Sequence, residues 1–354
     1  MSIIVKFDKE KVEASYPEAS MFPAMKVWSL PKNKRHLLKE YCDSGDYLAS
    51  LKIDGYFYYL DITENHSYFF SRSAGVNGLL TEKSSHVPHI VNFFKDVPPE
   101  TIFIGEVYVP GGTSKDVTKI MGCLADKALK RQEEGAPLHY YVHDIVMYAG
   151  EDLREKPFEK RLEILYDVFE KYNLQGHTNV QVAQYFSNNI YERAMQFIGE
   201  GEEGMVLKKK DAIYQADKRP AWSSIKIKPE TTLDVIILGF NDPEREYKGI
   251  ELASWPYWEE DEATSLRTPV TKAYFYGWKN AIRIGAYDSK GNVVAIGTIS
   301  SGLTDEMRKD FAENPNNYIG KTIEVQCMSI DSKEQTLRHG YLLRFRDDKP
   351  AEEC

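Results

Sequence analysis

The chain has 354 residues, 42% of them apolar, and a formal net charge of −9. This length predicts two domains, and the apolar content is sufficient for a sizeable core. No apolar run is long enough to cross a bilayer, and the N-terminus is charged too early and too often for a secretory signal. We therefore expect an intracellular, soluble protein of the cytoplasm with no membrane partner.

Four cysteines, at positions 42, 123, 327 and 354, are scattered along the chain and form no CxxC pair. This pattern argues against a disulfide framework or a structural zinc site and favours reduced thiols in a reducing compartment. The acidic net charge does not by itself indicate a nucleic-acid partner. It does not exclude one either, because binding requires only a local basic surface.

Strand-like and helix-like stretches alternate between Tyr47 and Lys228. Runs rich in β-branched and aromatic residues predict strands, and apolar residues at helical spacing from Phe158 to Tyr172 predict an amphipathic helix. The segment Lys52–Gly55, which reads Lys-Ile-Asp-Gly, is predicted to be a turn between two of these strands. The predicted strands are Tyr47–Leu51, Phe57–Ile62, Thr101–Val109, His139–Tyr148, Gly204–Leu207 and Ser224–Ile227.

After Pro229 the pattern changes to short strands with alternating apolar residues. One short helix is predicted at Asp305–Phe311, with Thr304 as its N-cap. Short strands with one helix over about a hundred residues are typical of a small β-barrel. We predict a domain boundary near Thr231, which gives domains at 1–231 and 232–354. The predicted strands are Leu233–Phe240, Ala281–Ala286, Val293–Ile299 and Lys321–Ile330, and the second and third of these form a hairpin.

Three charged positions in the first domain are candidates for chemistry. Lys52 lies two residues before Asp54, which is followed by Gly55. The dipeptide Asp-Gly is also common in ordinary hairpin turns. Glu106 lies inside an apolar strand, and Glu203 lies at the start of another. Glu106 either occupies a solvated face or points at a ligand hydroxyl or a metal ion.

Two lysines alternate with two isoleucines in the segment 224–228. On a strand, Lys226 and Lys228 share one face, and Ile225 and Ile227 share the other. The lysine face is either the wet side of an edge strand or a pair of ammonium groups directed at phosphate oxygens.

A dense basic array, Arg344-Phe345-Arg346-Asp347-Asp348-Lys349, directly follows an apolar strand near the C-terminus. A basic tail would explain any two of these charges. It does not explain the complete R-x-R-x-D-K pattern.

Taken in this order, these segments resemble the covalent nucleotidyltransferases, and specifically the ATP-dependent DNA ligases. The resemblance covers nearly the whole chain, and its compact size is similar to that of bacteriophage ligases, which would act in the host cytoplasm. It implies an α+β fold: an adenylation (nucleotidyltransferase, ATP-grasp-like) domain with antiparallel sheets and flanking helices, followed by an all-β OB-fold barrel. The matching segments are Lys52–Gly55, Phe70–Ser73 with Arg72, Gly105–Glu106, Tyr141–Asp144, Leu153–Leu165, Glu203–Gly204, Lys226 with Lys228, and Arg344–Lys349.

The resemblance implies a reaction in three steps. The Lys52 amine attacks the α-phosphate of ATP and expels pyrophosphate, AMP passes to the 5′-phosphate of a nick in duplex DNA, and the 3′-hydroxyl displaces AMP. The attacking amine must be unprotonated, a state that neighbouring cations favour. Lys226 and Lys228 would provide these cations and would also neutralise the α-phosphate. Such an enzyme would act in DNA replication, repair and recombination, and we expect a monomer.

Further roles are implied for the remaining motif residues. Glu106 would take the ribose hydroxyls, Glu203 together with Glu106 would hold Mg²⁺ or Mn²⁺, and Asp54 would position the metal or the 3′-hydroxyl. Arg72 would grip the 5′-phosphate of the nick, and His143 would stack on adenine. The nucleotide-binding residues implied are Lys52, Gly55, Arg72, Glu106, His143, Glu203, Lys226, Lys228, Arg344, Arg346 and Lys349, of which the last three would orient pyrophosphate.

Two positions depart from the family pattern. The family commonly has an arginine five residues after the lysine, where this chain has Phe57. It usually has a phenylalanine before the aspartate of the fourth motif, where this chain has His143. An imidazole can stack on adenine, but a core histidine that is hydrogen-bonded to a neighbour is an equal alternative.

Several other functions remain open at this point. An RNA ligase of the same superfamily would share the lysine, both glutamates and the lysine pair, and some RNA ligases also lack the arginine. An mRNA-capping guanylyltransferase would react with GTP, and an inactive nucleic-acid-binding relative would not react at all. An NAD-dependent ligase is disfavoured because the chain lacks room for an extra N-terminal domain and cysteines for a zinc module. Two predicted loops, Val76–Pro88 and Asn241–Pro269, are candidates for DNA contact.

Overall fold

The structure is a computed structural model that describes residues 15–30, 37–74, 79–176, 178–228, 231–249, 255–261, 266–288, 290–327, 329–330, 337–338 and 340–351. These residues divide into two compact units, one ending at Lys228 and the other starting at Thr231. Among the described helices, none has the length and apolar character that a membrane span requires.

The first unit contains two β-sheets and six α-helices within the described residues. Its helices are α1 Leu38–Asp43, α2 Pro88–Val91, α3 Ser114–Met121, α4 Ala125–Glu134, α5 Phe158–Lys171 and α6 Ile190–Gly199. Its strands are β1 Trp28–Ser29, β2 Tyr47–Leu51, β3 Tyr56–Ile62, β4 Ser67–Ala74, β5 Leu80–Glu82, β6 Thr101–Tyr108, β7 His139–Tyr148, β8 Glu151–Asp152, β9 Val180–Val182, β10 Met205–Lys209 and β11 Ser224–Ile227.

The larger sheet has the order β5-β4-β3-β6-β7-β8, with β9 parallel to β7. Alternation along its strands assigns each side chain to one of two faces. Leu60, Phe103 and Val142 pack with α2 to α5 in the main apolar core. The opposite face presents Tyr59 and Ile104, which pack against the segment around Met21. Glu106 shares the strand face of Ile104 and therefore points away from the helices.

The smaller sheet has the order β1-β11-β10-β2. One face packs on α1 and α6 through apolar side chains, which are Tyr47, Ala49, Met205, Leu207, Ile225 and Ile227. Burial of this face forces the alternate residues onto the other one, where Val206 is paired with Lys226 and Lys208 with Ser224. Lys226 thus lies on an interior strand of a sheet and Lys228 directly follows that strand, so the interpretation of an edge strand was wrong.

The second unit is mainly antiparallel. Five of its strands form a sheet in the order β16-β15-β12-β17-β20, and two further strand pairs are β13-β14 and β18-β19. Its helices are α7 Lys272–Phe275 and α8 Asp305–Glu313. Its strands are β12 Thr231–Asn241, β13 Pro256–Asp261, β14 Leu266–Thr271, β15 Ala281–Tyr287, β16 Val293–Ile299, β17 Thr322–Cys327, β18 Ser329–Ile330, β19 Leu337–Arg338 and β20 Tyr341–Phe345.

Most predicted elements of this unit are confirmed. Helix α8 begins where predicted, and the Thr304 side chain accepts a hydrogen bond from the Met307 amide. The hairpin β15-β16 is also present. The prediction of a loop at Asn241–Pro269 was wrong, because β13 and β14 form a hairpin there. Within Val76–Pro88 the structure has the short strand β5 and a 3₁₀ turn at Ser84–His86, and residues 76–78 lie outside the described part.

The segment Lys52–Gly55 joins the two sheets of the first unit. The strand before it, β2, belongs to the smaller sheet, and the strand after it, β3, belongs to the larger one. The interpretation of this segment as an ordinary hairpin turn was therefore wrong. Gly55 is required by packing, because a Cβ at this position would collide with the carbonyl oxygen of Val107.

Gly204, which directly precedes β10, contacts the same segment. Its carbonyl accepts a hydrogen bond of 2.8 Å from the Lys52 amide. Its φ of +113° suits glycine, and a Cβ there would collide with the carbonyl oxygen of Ile227. A larger residue would have to displace β11, which carries Lys226 and is directly followed by Lys228.

Gly204→Ala is expected to destabilise the first unit by about 2 kcal/mol or more, because it combines backbone strain with a clash against a strand. The measurement is denaturant unfolding. Gly199→Ala is the matched control, since Gly199 ends α6 and has open space around its Cα. That variant should be neutral or more stable by up to about 1 kcal/mol. Equal stability of the two variants would contradict this account of Gly204.

Candidate active site

Lys52 and Lys228 bind the two oxygens of one carboxylate. The Lys52 Nζ lies 2.6 Å from Glu203 Oε2, and the Lys228 Nζ lies 2.6 Å from Glu203 Oε1. The Glu203 side chain is 8% exposed, while Lys52 and Lys228 retain 21% and 27% exposure. Removing the glutamate would leave two ammonium groups close together with little solvent, a strongly unfavourable arrangement. The predicted nucleophile and part of the predicted lysine pair therefore meet at one charged centre.

Lys226 extends this centre along β11. Burial lowers the pKa of Lys226, and the positive charges of Lys228 and Lys52 lower it further. The influence of Lys52 on Lys226 indicates that all three predicted lysines share one electrostatic environment.

Glu106 adds a second carboxylate next to Lys52. Burial raises the pKa of Glu106 to about 7, although the positive charges of Lys52 and Arg72 oppose this rise. The negative charges of Glu203 and Asp54 also raise it. The structure therefore groups Lys52, Glu106, Arg72, Glu203 and Asp54, as the motif order implied. No three His, Cys, Asp or Glu side chains form a metal-binding cluster in the part of the chain described.

A pocket lies between the two sheets of the first unit. It is lined by Phe57, Arg72 and Glu106, and by polar and aromatic side chains from both sheets and from α5. The latter lining residues include His143, Asp144, Phe158, Arg161, Lys208, Tyr214 and Ser224.

A buried ionic network forms part of the pocket wall. Arg161 Nε lies 2.9 Å from Asp144 Oδ1, and Arg161 Nη2 lies 3.1 Å from Asp144 Oδ2. The Lys208 ammonium lies 3.2 Å from Asp144 Oδ2 and 3.0 Å from the His143 carbonyl oxygen. Burial alone would raise the pKa of Asp144, but Arg161 and Lys208 together lower it. The aspartate therefore stays ionised and holds two strands and a helix together.

His143 is held neutral at this network. Burial lowers its pKa to about 3, and the neighbouring Lys208 charge contributes to the shift. Its Nδ1 lies 3.3 Å from the Lys208 Nζ. A neutral imidazole on the pocket wall suits stacking against a base, and the hydrogen bond to Lys208 also fits the alternative of a core histidine.

Phe57 occupies the position at which the family has an arginine. Its ring lies 5.9 Å from the Arg72 guanidinium carbon and 6.4 Å from the His143 ring. Arg72 thus places a positive charge next to this position from the neighbouring strand β4. Although Phe57 itself carries no charge, the guanidinium of Arg72 provides a positive charge next to it.

The basic array of the second unit is held by acidic side chains of that unit. Arg346 Nη1 lies 3.1 Å from both Asp234 oxygens, and Lys349 Nζ lies 3.0 Å from Asp234 Oδ2. Arg344 Nε lies 2.6 Å from Glu324 Oε2. Asp234 therefore orients two of the three predicted pyrophosphate-binding side chains. Their action on pyrophosphate stays a prediction.

Three residues of the pocket were not singled out from the sequence. Lys208 was not named, Arg161 lay only within the matching segment Leu153–Leu165, and Ser224 was only a residue of the predicted strand Ser224–Ile227. The alternation of β10 and β11 could have assigned Lys208 and Ser224 to the face of Lys226. No local pattern links Arg161 to Asp144, since this contact depends on how α5 packs on β7.

Comparison with known proteins identifies the family. A family model for the ATP-dependent DNA ligase domain matches residues 30–228. The chain belongs to this family. The matched segment contains Lys52, Glu106, Glu203 and the lysine pair.

Two curated relatives show how far the similarity extends. A probable DNA ligase of Beutenbergia cavernae is 25% identical over 299 residues, which cover 78% of this chain and 51% of the relative. A DNA ligase of Thermococcus fumicolans is 25% identical over 296 residues, which cover 76% of this chain and 47% of the relative. The chain spans about half the length of these relatives.

Solved structures show the same fold. A Lig E DNA ligase, from a study of DNA binding with a minimal scaffold, superposes with a TM-score of 0.60 at 16% identity and covers 92% of this chain and 100% of its own. A structure named Pmar-Lig_PreS3 gives a TM-score of 0.64 at 17% identity, with 95% of this chain and 71% of its own covered. The family's fold is thus present over most of the chain.

Glu106→Gln is expected to stabilise the protein at pH 8 by about 2 kcal/mol. The folded carboxyl keeps its proton up to about pH 7, whereas the unfolded one loses it near pH 4.5. The folded state therefore binds more protons between these values, and its stability falls as pH rises through this window. Glutamine does not titrate, so the advantage of the variant should disappear as pH falls toward 4.5.

The measurement is urea unfolding across this pH range. Glu163→Gln on the exposed face of α5 is the matched control and should change stability by less than about 0.5 kcal/mol at every pH. A stability difference for Glu106→Gln that does not depend on pH would contradict the assignment of a raised pKa.

Proposed function

We propose that this protein is an ATP-dependent DNA ligase that seals nicks in duplex DNA as a monomer. The observation that carries the proposal is the charged centre of Lys52, Lys228 and Glu203 beside an interior pocket. Membership of the DNA ligase family supports the same function. The pocket lining of Glu106 and His143 further agrees with a nucleotide whose α-phosphate lies at Lys52.

The first step would be formation of lysyl-AMP. The Lys52 nitrogen forms a bond to the α-phosphorus of ATP, the bond from that phosphorus to the bridging oxygen breaks, and pyrophosphate leaves with the bonding electron pair. The amine gives up its proton to solvent. Lys226 and Lys228 would stabilise the negative charge on the phosphoryl oxygens, since ammonium groups act there as point charges.

AMP would extend from Lys52 into the pocket. Glu106 lies near enough to Lys52 for the lysine charge to lower the pKa of Glu106, and its carboxyl would accept hydrogen bonds from the ribose hydroxyls. His143, which is neutral, would stack on adenine. Gly55 would allow close approach of the backbone to the nucleotide.

Mg²⁺ or Mn²⁺ is compatible with this donor set. A hard divalent cation is commonly bound by one or two carboxylates together with substrate phosphates and water. Glu203 and Glu106 provide the carboxylates and would hold the ion, which when bound would neutralise phosphate charge.

Later steps would use Asp54 and Arg72. Arg72 is exposed and lines the pocket together with Glu106, and it would bind the 5′-phosphate of the nick. Asp54 would position the metal or the 3′-hydroxyl. A DNA end at this side of the pocket would then face the adenylylated lysine.

We also propose that the second unit is an OB-fold barrel. A five-stranded sheet with helix α8 between β16 and β17 is consistent with this fold. A parallel bridge between Ser301 and Tyr341 links the region after β16 to β20 and supports closure of the sheet. Within this barrel, Arg344, Arg346 and Lys349 would orient pyrophosphate in the first step.

An exposed aromatic surface on the second unit supports contact with DNA. Phe275 and Tyr276 are both 48% exposed, and each lies within 5.3 Å of the Tyr257 ring. Lys272, itself paired with Asp305, lies 5.6 Å from the Trp278 ring. Aromatic faces beside cations are typical of surfaces that bind nucleic acid.

Incubation with α-labelled ATP and Mg²⁺ is expected to label the protein covalently, and Lys52→Ala should abolish the label. Lys209→Ala is the matched control, since Lys209 is a partly exposed lysine paired with Asp211 on the smaller sheet. It should label normally. Persistent labelling of Lys52→Ala would place the nucleophile elsewhere.

Sealing should be measured on DNA and RNA nicks of the same sequence. The proposal expects faster sealing of the DNA nick. A preference for the RNA nick would support an RNA ligase, and labelling by GTP rather than ATP would support a guanylyltransferase. Absence of labelling with either nucleotide would indicate an inactive relative.

Replacing both Phe275 and Tyr276 by alanine is expected to raise the KM for nicked DNA by about tenfold, because base or sugar contacts to aromatic rings would be lost. Formation of lysyl-AMP should be unchanged, which separates DNA binding from the first step. Ile319→Ala is the control, since Ile319 is also 48% exposed and lies on the same unit. A parallel loss of lysyl-AMP formation in the double variant would contradict a role in DNA binding alone.

A further inference from the structure

Ser224 has a buried hydroxyl in the pocket wall that no described group satisfies. The residue is 3% exposed, and its Oγ has no hydrogen-bond partner within the described part of the chain. It also lines the pocket between the two sheets. Burial of an unpartnered hydroxyl is unfavourable, and such groups in folded proteins commonly mark a place where a ligand or water binds.

The polar neighbours of Ser224 are already engaged with one another. Lys208, its register partner on β10, directs its ammonium at the His143 carbonyl, His143 Nδ1 and Asp144 Oδ2 at 3.0, 3.3 and 3.2 Å. These contacts use the three donors of an ammonium group. The Tyr214 hydroxyl accepts from the Met25 amide at 2.9 Å and donates to the Pro23 carbonyl at 3.3 Å. The Ser224 hydroxyl thus remains available to a bound molecule.

The position of Ser224 relative to Lys228 suggests what that molecule is. Ser224 begins β11 and Lys228 directly follows the strand, so the two residues are four positions apart and separated by about 13 Å along the strand direction. Lys228 shares Glu203 with Lys52, where the proposed function has the α-phosphate. A nucleoside monophosphate extended from that point along the sheet would bring its base to the Ser224 end.

We propose that the Ser224 hydroxyl hydrogen-bonds the polar edge of the adenine base of bound ATP. This inference rests on the proposed function. A serine hydroxyl can accept from the exocyclic 6-amino group and can donate to N7, the ring nitrogen on the same edge of the base. The neighbouring ionic network of Asp144, Arg161 and Lys208 would fix the strand that carries His143. His143 could then stack on the adenine whose edge is hydrogen-bonded by Ser224.

Ser224→Ala is expected to weaken ATP binding without lowering the stability of the folded protein. The KM for ATP in lysyl-AMP formation should rise by about threefold to tenfold while kcat changes little, because a ground-state hydrogen bond is lost. Thermal unfolding of the free protein should be unchanged or slightly higher, since alanine removes a buried group that has no partner. A purely structural serine would instead lower the unfolding temperature, and that result would overturn the proposal.

Two analogues then test the contact at the level of the base. The triphosphate of purine riboside lacks the 6-amino group, and 7-deaza-ATP lacks one ring acceptor. The KM difference between wild-type protein and Ser224→Ala should disappear with the analogue that lacks the contacted atom. An undiminished difference with both, or no difference with ATP itself, would show that the hydroxyl does not contact either group and overturn the inference.

Failure of the proposed function would look different. If wild-type protein forms no covalent adduct with any of these nucleotides, then the ligase reaction itself is refuted. If wild-type protein and Ser224→Ala form lysyl-AMP with the same KM, then the ligase reaction stands and only the role of Ser224 is refuted.

Discussion

The carboxylate of Glu203, held between the ammonium groups of Lys52 and Lys228, is the interaction on which the site depends. Each partner comes from a different piece of chain: Lys52 directly follows β2, Glu203 lies just before β10, and Lys228 directly follows β11. These pieces meet because the opposite face of the smaller sheet is buried against α1 and α6. The apolar core thus sets the strand register, and the register sets which charges meet. In low-dielectric surroundings, such a pair of contacts to one carboxylate also restricts where both amines can lie.

A second buried charge network serves a different purpose. Asp144, Arg161 and Lys208 link β7, α5 and β10, so they connect the two sheets in the wall of the pocket. Apolar side chains of similar size could join these elements with equal or greater stability. Charged groups additionally impose direction, since a guanidinium donates two parallel hydrogen bonds to a carboxylate in only a few orientations. If the pocket binds adenine as proposed, walls that are held in this way would favour one orientation of the base.

Much of this architecture could be predicted from the sequence. The helix at Phe158–Lys171, the N-cap at Thr304 and the hairpin of β15 and β16 follow from local periodicity and turn chemistry. The grouping of Lys52, Glu106 and Glu203 followed from motif order. What local patterns could not predict was the allocation of strands to sheets, because β2 and β3 are adjacent in the chain yet pair with different partners. The contact of Arg161 with Asp144 and the orphan hydroxyl of Ser224 depend on that allocation, so they too emerge only from the folded chain.

The short connection from Lys52 to Gly55 restricts where homologous chains can differ in length. It is the covalent joint between two sheets, and both of its ends are tied, by the Gly204 carbonyl at one side and by close packing on Val107 at the other. A surface turn such as that at Asp288–Asn292 can gain residues at small entropic expense. An inserted residue between Lys52 and Gly55 would break the hydrogen bond between the Lys52 amide and the Gly204 carbonyl or would separate the two sheets. Length variation among homologous chains should therefore accumulate at hairpin tips and be absent from this tetrapeptide.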